Sequence, residues 1–330
     1  MIGCYATGVF PRPKELVEAT RAYERRKIND ENLEKIFHKA TLKIVQAQIS
    51  ANFSYVTDGM LKWQDLLRPF TEKLHGVRVG ALARWFSNNT FYRKPVVVEE
   101  IRREKDVTAE IVCFECLPKN VLWKAILPAP YTFAKLAENR FYRNDTELMF
   151  KFAEILKAEI KTLTKKGFSY IQLSDPALVY NPFKRPISKD TLIAVRDALE
   201  TAIRGTAVRT CLQTFFGDFS QILPEALDFP VTDLGIDLYE TKFEKLKEYK
   251  FGKGIALGLV DARNSLVEDE NELVNVAKEL IGQVYLLEKR DIFICPNCDL
   301  DFLPWERAEE KLMVAGNVAK RLKAELNIHG

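Results

Sequence analysis

Eight short, almost wholly apolar runs recur along this chain, and amphipathic helical sequence follows most of them. The runs are Gly3–Val9, Asn52–Thr57, Leu122–Leu127, Tyr170–Ser174, Ala207–Phe215, Asp233–Leu238, Ile255–Val260 and Asp291–Cys295. Segments such as IALGLV and DIFIC are continuously apolar rather than alternating, as strands covered on both faces are in a parallel sheet. Helices are predicted over Pro13–Arg25, Glu31–Ser50, Asp145–Lys166, Ser188–Arg204, Leu273–Leu287 and Pro304–Leu326, with apolar positions near a 3.6-residue period. Eight strands in such an alternation predict a (β/α)8 TIM barrel rather than an open doubly wound sheet. No G-x-G-x-x-G follows the first strand, which argues against a dinucleotide fold.

Gly76–Glu115 departs from the alternation. It carries GVRVGALARW, PVVVEEI and TAEIVCFE between turn-like residues, and is expected to form a β-rich insertion between strands two and three. With no linker, repeat or low-complexity tract, residues 1–330 are expected to form one elaborated barrel. The 330 residues suffice for a large core. With 49 basic and 46 acidic residues the net charge is +3, which suggests neither nucleic acid nor an anionic membrane as partner. No apolar run reaches the ~18–20 residues of a membrane span, and the N-terminus has no signal-peptide pattern, so a cytoplasmic protein is expected. Charged residues make up 29% and glutamine occurs seven times, a composition that leans towards a thermophile.

A TIM barrel places its site at the C-terminal ends of the strands. Reading those ends selects Arg12 after strand one, Asp58 and Trp63 after two, and Asp175 after four. Gln213 ends strand five, Asp237 six, Asp261 and Arg263 seven, and Cys298 eight. Asp58, Trp63, Gln213, Asp237, Arg263 and Cys298 are expected to face one cavity. The competing reading of any single Asp or Asn is a helix cap or turn residue.

These loops carry a resemblance. TGVFPRP, KGFSYIQLSDPAL, LQTFFGDF, GLVDARN and ICPNCDLDFLP resemble, in order, the first-, fourth-, fifth-, seventh- and eighth-strand motifs of the cobalamin-independent methionine synthases. The resemblance implies a TIM barrel and a place in methionine biosynthesis, where methyl passes from a 5-methyl-pterin to homocysteine. The family's catalytic barrel holds zinc through a His-x-Cys on strand five, a Glu ending strand six and a Cys after strand eight. The zinc lowers the homocysteine thiol pKa and holds a thiolate. A second, N-terminal barrel lacks these ligands and helps to hold the folate tail.

Carried over residue by residue, the pattern departs here. Gln213 stands for the ligand His, Phe215 for the ligand Cys, and Asp237 for the Glu, while Cys298 matches the last Cys. Arg263 replaces the catalytic His, Ser174-Asp175 the Asp-Glu pair, and Val9 the first-strand Ser. Phe binds no zinc and a neutral amide is a poor substitute for imidazole. The resemblance is therefore closer to the non-catalytic barrel, here as a separate chain that binds a folate-like ligand or a separate catalytic barrel. No stoichiometric zinc is expected. The alternative is a stand-alone methyltransferase with a remodelled site using Cys298 and Asp237.

The six cysteines are too few for a disulfide scaffold. Cys113-x-x-Cys116 and Cys295-x-x-Cys298 could share a zinc, form a disulfide or serve a redox role, or be unlinked buried or loop residues, and the last is the expectation. His38, His75 and His329 fall at no strand end; His38 is expected on a helix surface. Arg12, Arg84, Arg93 and Lys94 with Trp85 and Tyr92 suggest either a patch for an anionic planar ligand or a solvated hairpin, with the hairpin preferred.

Overall fold

The computed structural model describes residues 1–284 and 290–326. Its strands, in chain order, are β1 (Ile2–Cys4), β2 (Tyr55–Val56), β3 (His75–Arg84), β4 (Phe91–Arg102), β5 (Leu122–Pro128), β6 (Glu138–Asn139), β7 (Phe168–Ser174), β8 (Arg209–Gln213), β9 (Asp233–Asp237), β10 (Gly254–Val260) and β11 (Ile292–Pro296). Eight of them form a parallel sheet in the order β1-β11-β10-β9-β8-β7-β5-β2. The Ser54 amide donates to the Cys4 carbonyl (2.9 Å), so the sheet's edge strands β1 and β2 approach and the sheet curls into a nearly closed barrel. The expected (β/α)8 barrel is therefore observed, with each of the eight predicted runs contributing a barrel strand.

The interior is packed rather than hollow. Tyr5, Tyr55, Tyr170, Cys211, Ala256, Phe293 and Cys295 form a buried cluster inside the barrel, with Tyr55 and Tyr170 edge to face at 4.7 Å. Lys124 is buried among them. Its ammonium donates to the Ala6 carbonyl (2.8 Å) and Gln172 (2.5 Å) and lies 3.3 Å from the centre of the Tyr5 ring. Arg209 clamps Asp233 and Asp291 at the opposite, N-terminal end of the barrel, the end that serves stability.

Helices shield the outside, and their ends follow capping chemistry. Six of them, α1 (Lys14–Glu24), α2 (Asp30–Ser50), α5 (Asp145–Lys165), α7 (Lys189–Ile203), α9 (Glu270–Val284) and α10 (Trp305–Glu325), line up with predicted helices; α3 (Arg68–Lys73), α4 (Pro130–Leu136), α6 (Pro176–Val179) and α8 (Phe243–Leu246) are short additions. Asn29 and Asn144 accept the amides of Asn32 and Glu147, satisfying first-turn donors of α2 and α5. The predicted helix end at Leu287 lies outside the described residues, as does His329.

The insertion is a long antiparallel hairpin, β3 with β4, joined in parallel by the two-residue β6. The expectation that TAEIVCFE would be a strand is corrected. Ile111 and Val112 amides turn back to the Thr108 carbonyl, and a short 3-10 turn spans Phe114–Cys116. Glu159 on α5 takes the backbone amides of Val107 and Thr108, both at 2.9 Å. With its donors engaged this way the segment forms no ladder.

Candidate functional site at the barrel mouth

The hairpin leans over the C-terminal ends of the strands. Phe86, at its tip, packs against Tyr180 after β7 (4.9 Å) and Phe216 after β8 (5.7 Å). Phe216 takes a left-handed conformation (φ 67°), which turns its ring towards the tip. Between tip and barrel lies a cavity of about 700 Å³, lined by Ser87, Asn88, Tyr180, Asn181, Phe216, Asp218, Lys245 and Arg263 among others. Four of its charges are paired in advance, Arg263 with Glu240 at 2.6 Å and Lys245 with Asp218 at 2.5 Å.

Below this cavity a polar chain crosses three strand ends. Asn297 donates to Asp237 and to Asp261, both at 3.3 Å, and its carbonyl accepts the Ala262 amide. Asp237 also takes the amides of Phe216 (3.2 Å) and Tyr239 (3.0 Å). Burial pushes the Asp237 carboxyl up to about 6, against the opposing pull of Arg263. Cys298 is fully buried, and burial, then Asp299 and Asp237, raise its thiol well above the ordinary range. Asp299 presses on the first-strand loop, where a Cβ on Gly8 would collide with its carboxylate. Arg12, near Asp301, donates to the Leu61 carbonyl at 2.9 Å. Asp175 accepts from Thr132 (2.6 Å) and has one oxygen without a partner. Its carboxyl is raised to about 7 by burial.

The expectation of one shared cavity needs correcting. Of the six residues, Arg263 lines the 700 Å³ cavity. Gln213, Asp237 and Cys298 are buried beneath it. Trp63 packs edge-on to Phe70 (6.3 Å) in the core. Asp58 faces a different recess, beside α2. The reason is direction: parallel strands bring loop starts to one face, but the turns after β2 send Trp63 into the core and Asp58 towards α2. The aromatic patch also resolves, since Trp85 and Tyr92 are buried and face each other at 5.6 Å while Arg84 and Arg93 are exposed. The hairpin reading holds. Glu240 and the tip residues Ser87 and Asn88 are not singled out by the sequence; the turn-rich SNNT after Phe86 is the available signal for the tip.

The zinc implied by the resemblance does not fit the residues present. Phe215 fills its position with hydrocarbon and is 1% exposed. Gln213 lies against Gly235, where a Cβ would collide with its amide, and its amide nitrogen has no partner. Asp237 and Cys298 remain, one carboxylate and one cysteine sulfur, short of the three ligands a catalytic zinc needs.

Fold and site together define a TIM-barrel protein whose polar residues converge on the loops after its strands. Residues 4–321 match the family model described as "Cobalamin-independent synthase, Catalytic domain", and the chain belongs to the cobalamin-independent methionine synthase family. It is similar to the methionine synthase of Saccharolobus solfataricus, 29% identical over 328 residues, covering 98% of this chain and 95% of that one. The methionine synthase of Sulfurisphaera tokodaii is 27% identical, covering 98% and 93%. Among solved structures, a B12-independent methionine synthase from Shewanella sp. W3-18-1 in complex with selenomethionine superposes with a TM-score of 0.82 at 21% identity over the whole of both chains. That likeness concerns the fold.

Proposed function

We propose that this chain is the ligand- or partner-binding barrel of cobalamin-independent methionine synthesis, working beside a separate zinc-bearing catalytic barrel. The reaction it serves is methyl transfer from a 5-methyl-pterin to homocysteine. The observation that carries this reading is the loss of the metal centre: Gln213 and Phe215 replace the His-x-Cys, and both are buried. The folate-like ligand is assigned to the 700 Å³ cavity. There Tyr180 and Phe216 offer rings for a pterin, and Arg263 and Lys245 offer charge for a glutamate tail. Arg12, Asp175 and Asp261 support the loops around it. The protein acts in the cytoplasm on this reading; among the described residues no helix is long and apolar enough to cross a membrane.

The alternative, a stand-alone methyltransferase using Cys298 and Asp237, gains support from the near full-length match to relatives named methionine synthase. It is disfavoured by chemistry, because Asp237 and Cys298 offer two ligands where a catalytic zinc needs three. Titration calorimetry with 5-methyltetrahydropteroylglutamate, and sedimentation with a zinc-bearing barrel of the family, test the proposal. Binding of either supports it; binding of neither overturns it.

A further inference from the structure

A second place in the molecule gathers metal-binding chemistry, far in sequence from the strand-five and strand-eight positions. His38 on α2 meets Cys113 and Cys116 of the β4–β5 connection, and one ligand atom from each lies within 4.8 Å of the others. Among the described residues no other His, Cys, Asp or Glu group of three does this. The expectation that the cysteines are unlinked is corrected here, because Cys113 and Cys116 form a disulfide. The 3-10 turn sets their Cα atoms 5.3 Å apart, within disulfide range. Cys295 and Cys298 stay free and buried in the barrel, so the two C-x-x-C pairs do not share a site. His38 is half-buried rather than a bare surface residue.

We propose that, once the disulfide is reduced, His38, Cys113 and Cys116 bind a zinc ion. A phosphine or dithiol reductant supplies two electrons, and with two protons the S–S bond becomes two thiols. Zinc then displaces both thiol protons to solvent and accepts lone pairs from two thiolates and one imidazole nitrogen. Two sulfurs and a nitrogen are the soft set that selects zinc, and water takes the fourth position. The surroundings suit a cation. A recess of about 510 Å³ opens beside His38 and Cys113 and gives an entry path. It is lined by Glu31, Glu34, Asp58, Glu110 and Glu115 against Lys35 and Lys62. The Cys113 amide lies by the Asp58 carboxylate, and the Cys116 sulfur lies 3.9 Å from the His38 carbonyl, so the pair already sits against the loop after β2 and against α2. Zinc here would add a metal bridge from His38 on α2 to the β4–β5 connection, a bridge the disulfide form lacks. This inference does not depend on the proposed function.

The test uses the full chain, reduced anaerobically, dialysed against zinc and then against metal-free buffer. Wild type is expected to keep stoichiometric zinc and, with cobalt in its place, to show thiolate-to-cobalt charge-transfer absorption. Zinc should also raise its melting temperature by mass action. Cys113→Ser and His38→Ala should lose the retained metal and the zinc-dependent melting shift. Cys298→Ser should keep both. Circular dichroism confirms folding; if the buried Cys116→Ser variant misfolds, the partly exposed His38 and Cys113 variants decide. The proposal is overturned if reduced wild type retains no zinc, if Cys113→Ser and His38→Ala retain it, or if only Cys298→Ser loses it.

Discussion

Glu159 is a fully buried carboxylate that anchors the return of the hairpin, so replacing it with glutamine tests whether that anchor matters. One oxygen takes the Val107 amide (2.9 Å) and the Arg103 guanidinium; the other takes the Thr108 amide (2.9 Å) and hydroxyl (2.5 Å). A glutamine side chain must point its NH2 at one of these pairs of donors. The cheaper choice faces Thr108, whose hydroxyl can rotate to accept, leaving the Thr108 amide unsatisfied at a cost of about 1–3 kcal/mol. Loss of charge also weakens the Arg103 bond. Breaking a buried pair costs up to ~3–5 kcal/mol, but Arg103 is 20% exposed and partly solvated, so about 1 kcal/mol is assigned to it. The sum is about 3 kcal/mol. With ~2.1 cal/mol/K per residue, an unfolding entropy of about 0.7 kcal/mol/K follows, and the melting temperature should fall by about 4 °C. Calorimetry and urea unfolding measure it, with Glu154→Gln on the exposed face of α5 as a control expected within ~0.5 kcal/mol. A Glu159→Gln variant as stable as that control refutes the anchor.

Three further outcomes follow from the same geometry. The carboxyls of Asp175 and Asp237 rise from 3.8 to about 7 and about 6, so the folded chain holds protons that the unfolded chain has released. Their stabilisation is full below the unfolded value and lost as pH rises through 6 and 7. Melting temperature should therefore fall from about pH 5 to 7, less steeply in Asp175→Asn; identical slopes in the two proteins would contradict this. Arg263→Ala should weaken a folate-like anion by roughly 10- to 100-fold, the loss of one charge-assisted hydrogen bond of ~1.5–3 kcal/mol, read by titration calorimetry. Phe86→Ala removes the ring contacts with Tyr180 and Phe216, worth about 0.5–1.5 kcal/mol each, and a third with the adjacent Trp85, so it should speed proteolysis at the hairpin tip and lower the urea midpoint; unchanged cleavage would show that the tip does not rest on Tyr180 and Phe216.

The barrel was legible because its strands are buried on both faces: runs such as IALGLV and DIFIC have no other economical place in a fold. Ends were less so. Asn52 turns with positive φ, and β2 shrinks to Tyr55–Val56, because closing contacts run through Ser54 instead of a ladder. TAEIVCFE has strand-like composition, but Glu159, distant in sequence, takes the donors of Thr108, and the Ile111, Val112 and Phe114 amides turn back on the segment itself. At the site, residue order located the loops and exposed the loss of the His-x-Cys, since those are one-dimensional facts. It gave no side-chain direction, so Trp63 and Asp58 were placed at the mouth although they face the core and the α2 side. His38 read as a helix-surface residue for the same reason: its meeting with Cys113 and Cys116 depends on where the insertion returns.

The central claim is that this barrel serves methyl transfer without holding the family's metal centre itself. The direct measurement is methionine formation from homocysteine and 5-methyltetrahydropteroylglutamate, with zinc supplied. The account predicts none above background for the isolated chain. It predicts that adding the chain raises the rate of a zinc-bearing catalytic barrel, and that Arg263→Ala blunts the increase. Methionine made by the isolated chain, and abolished by Cys298→Ser, would contradict it.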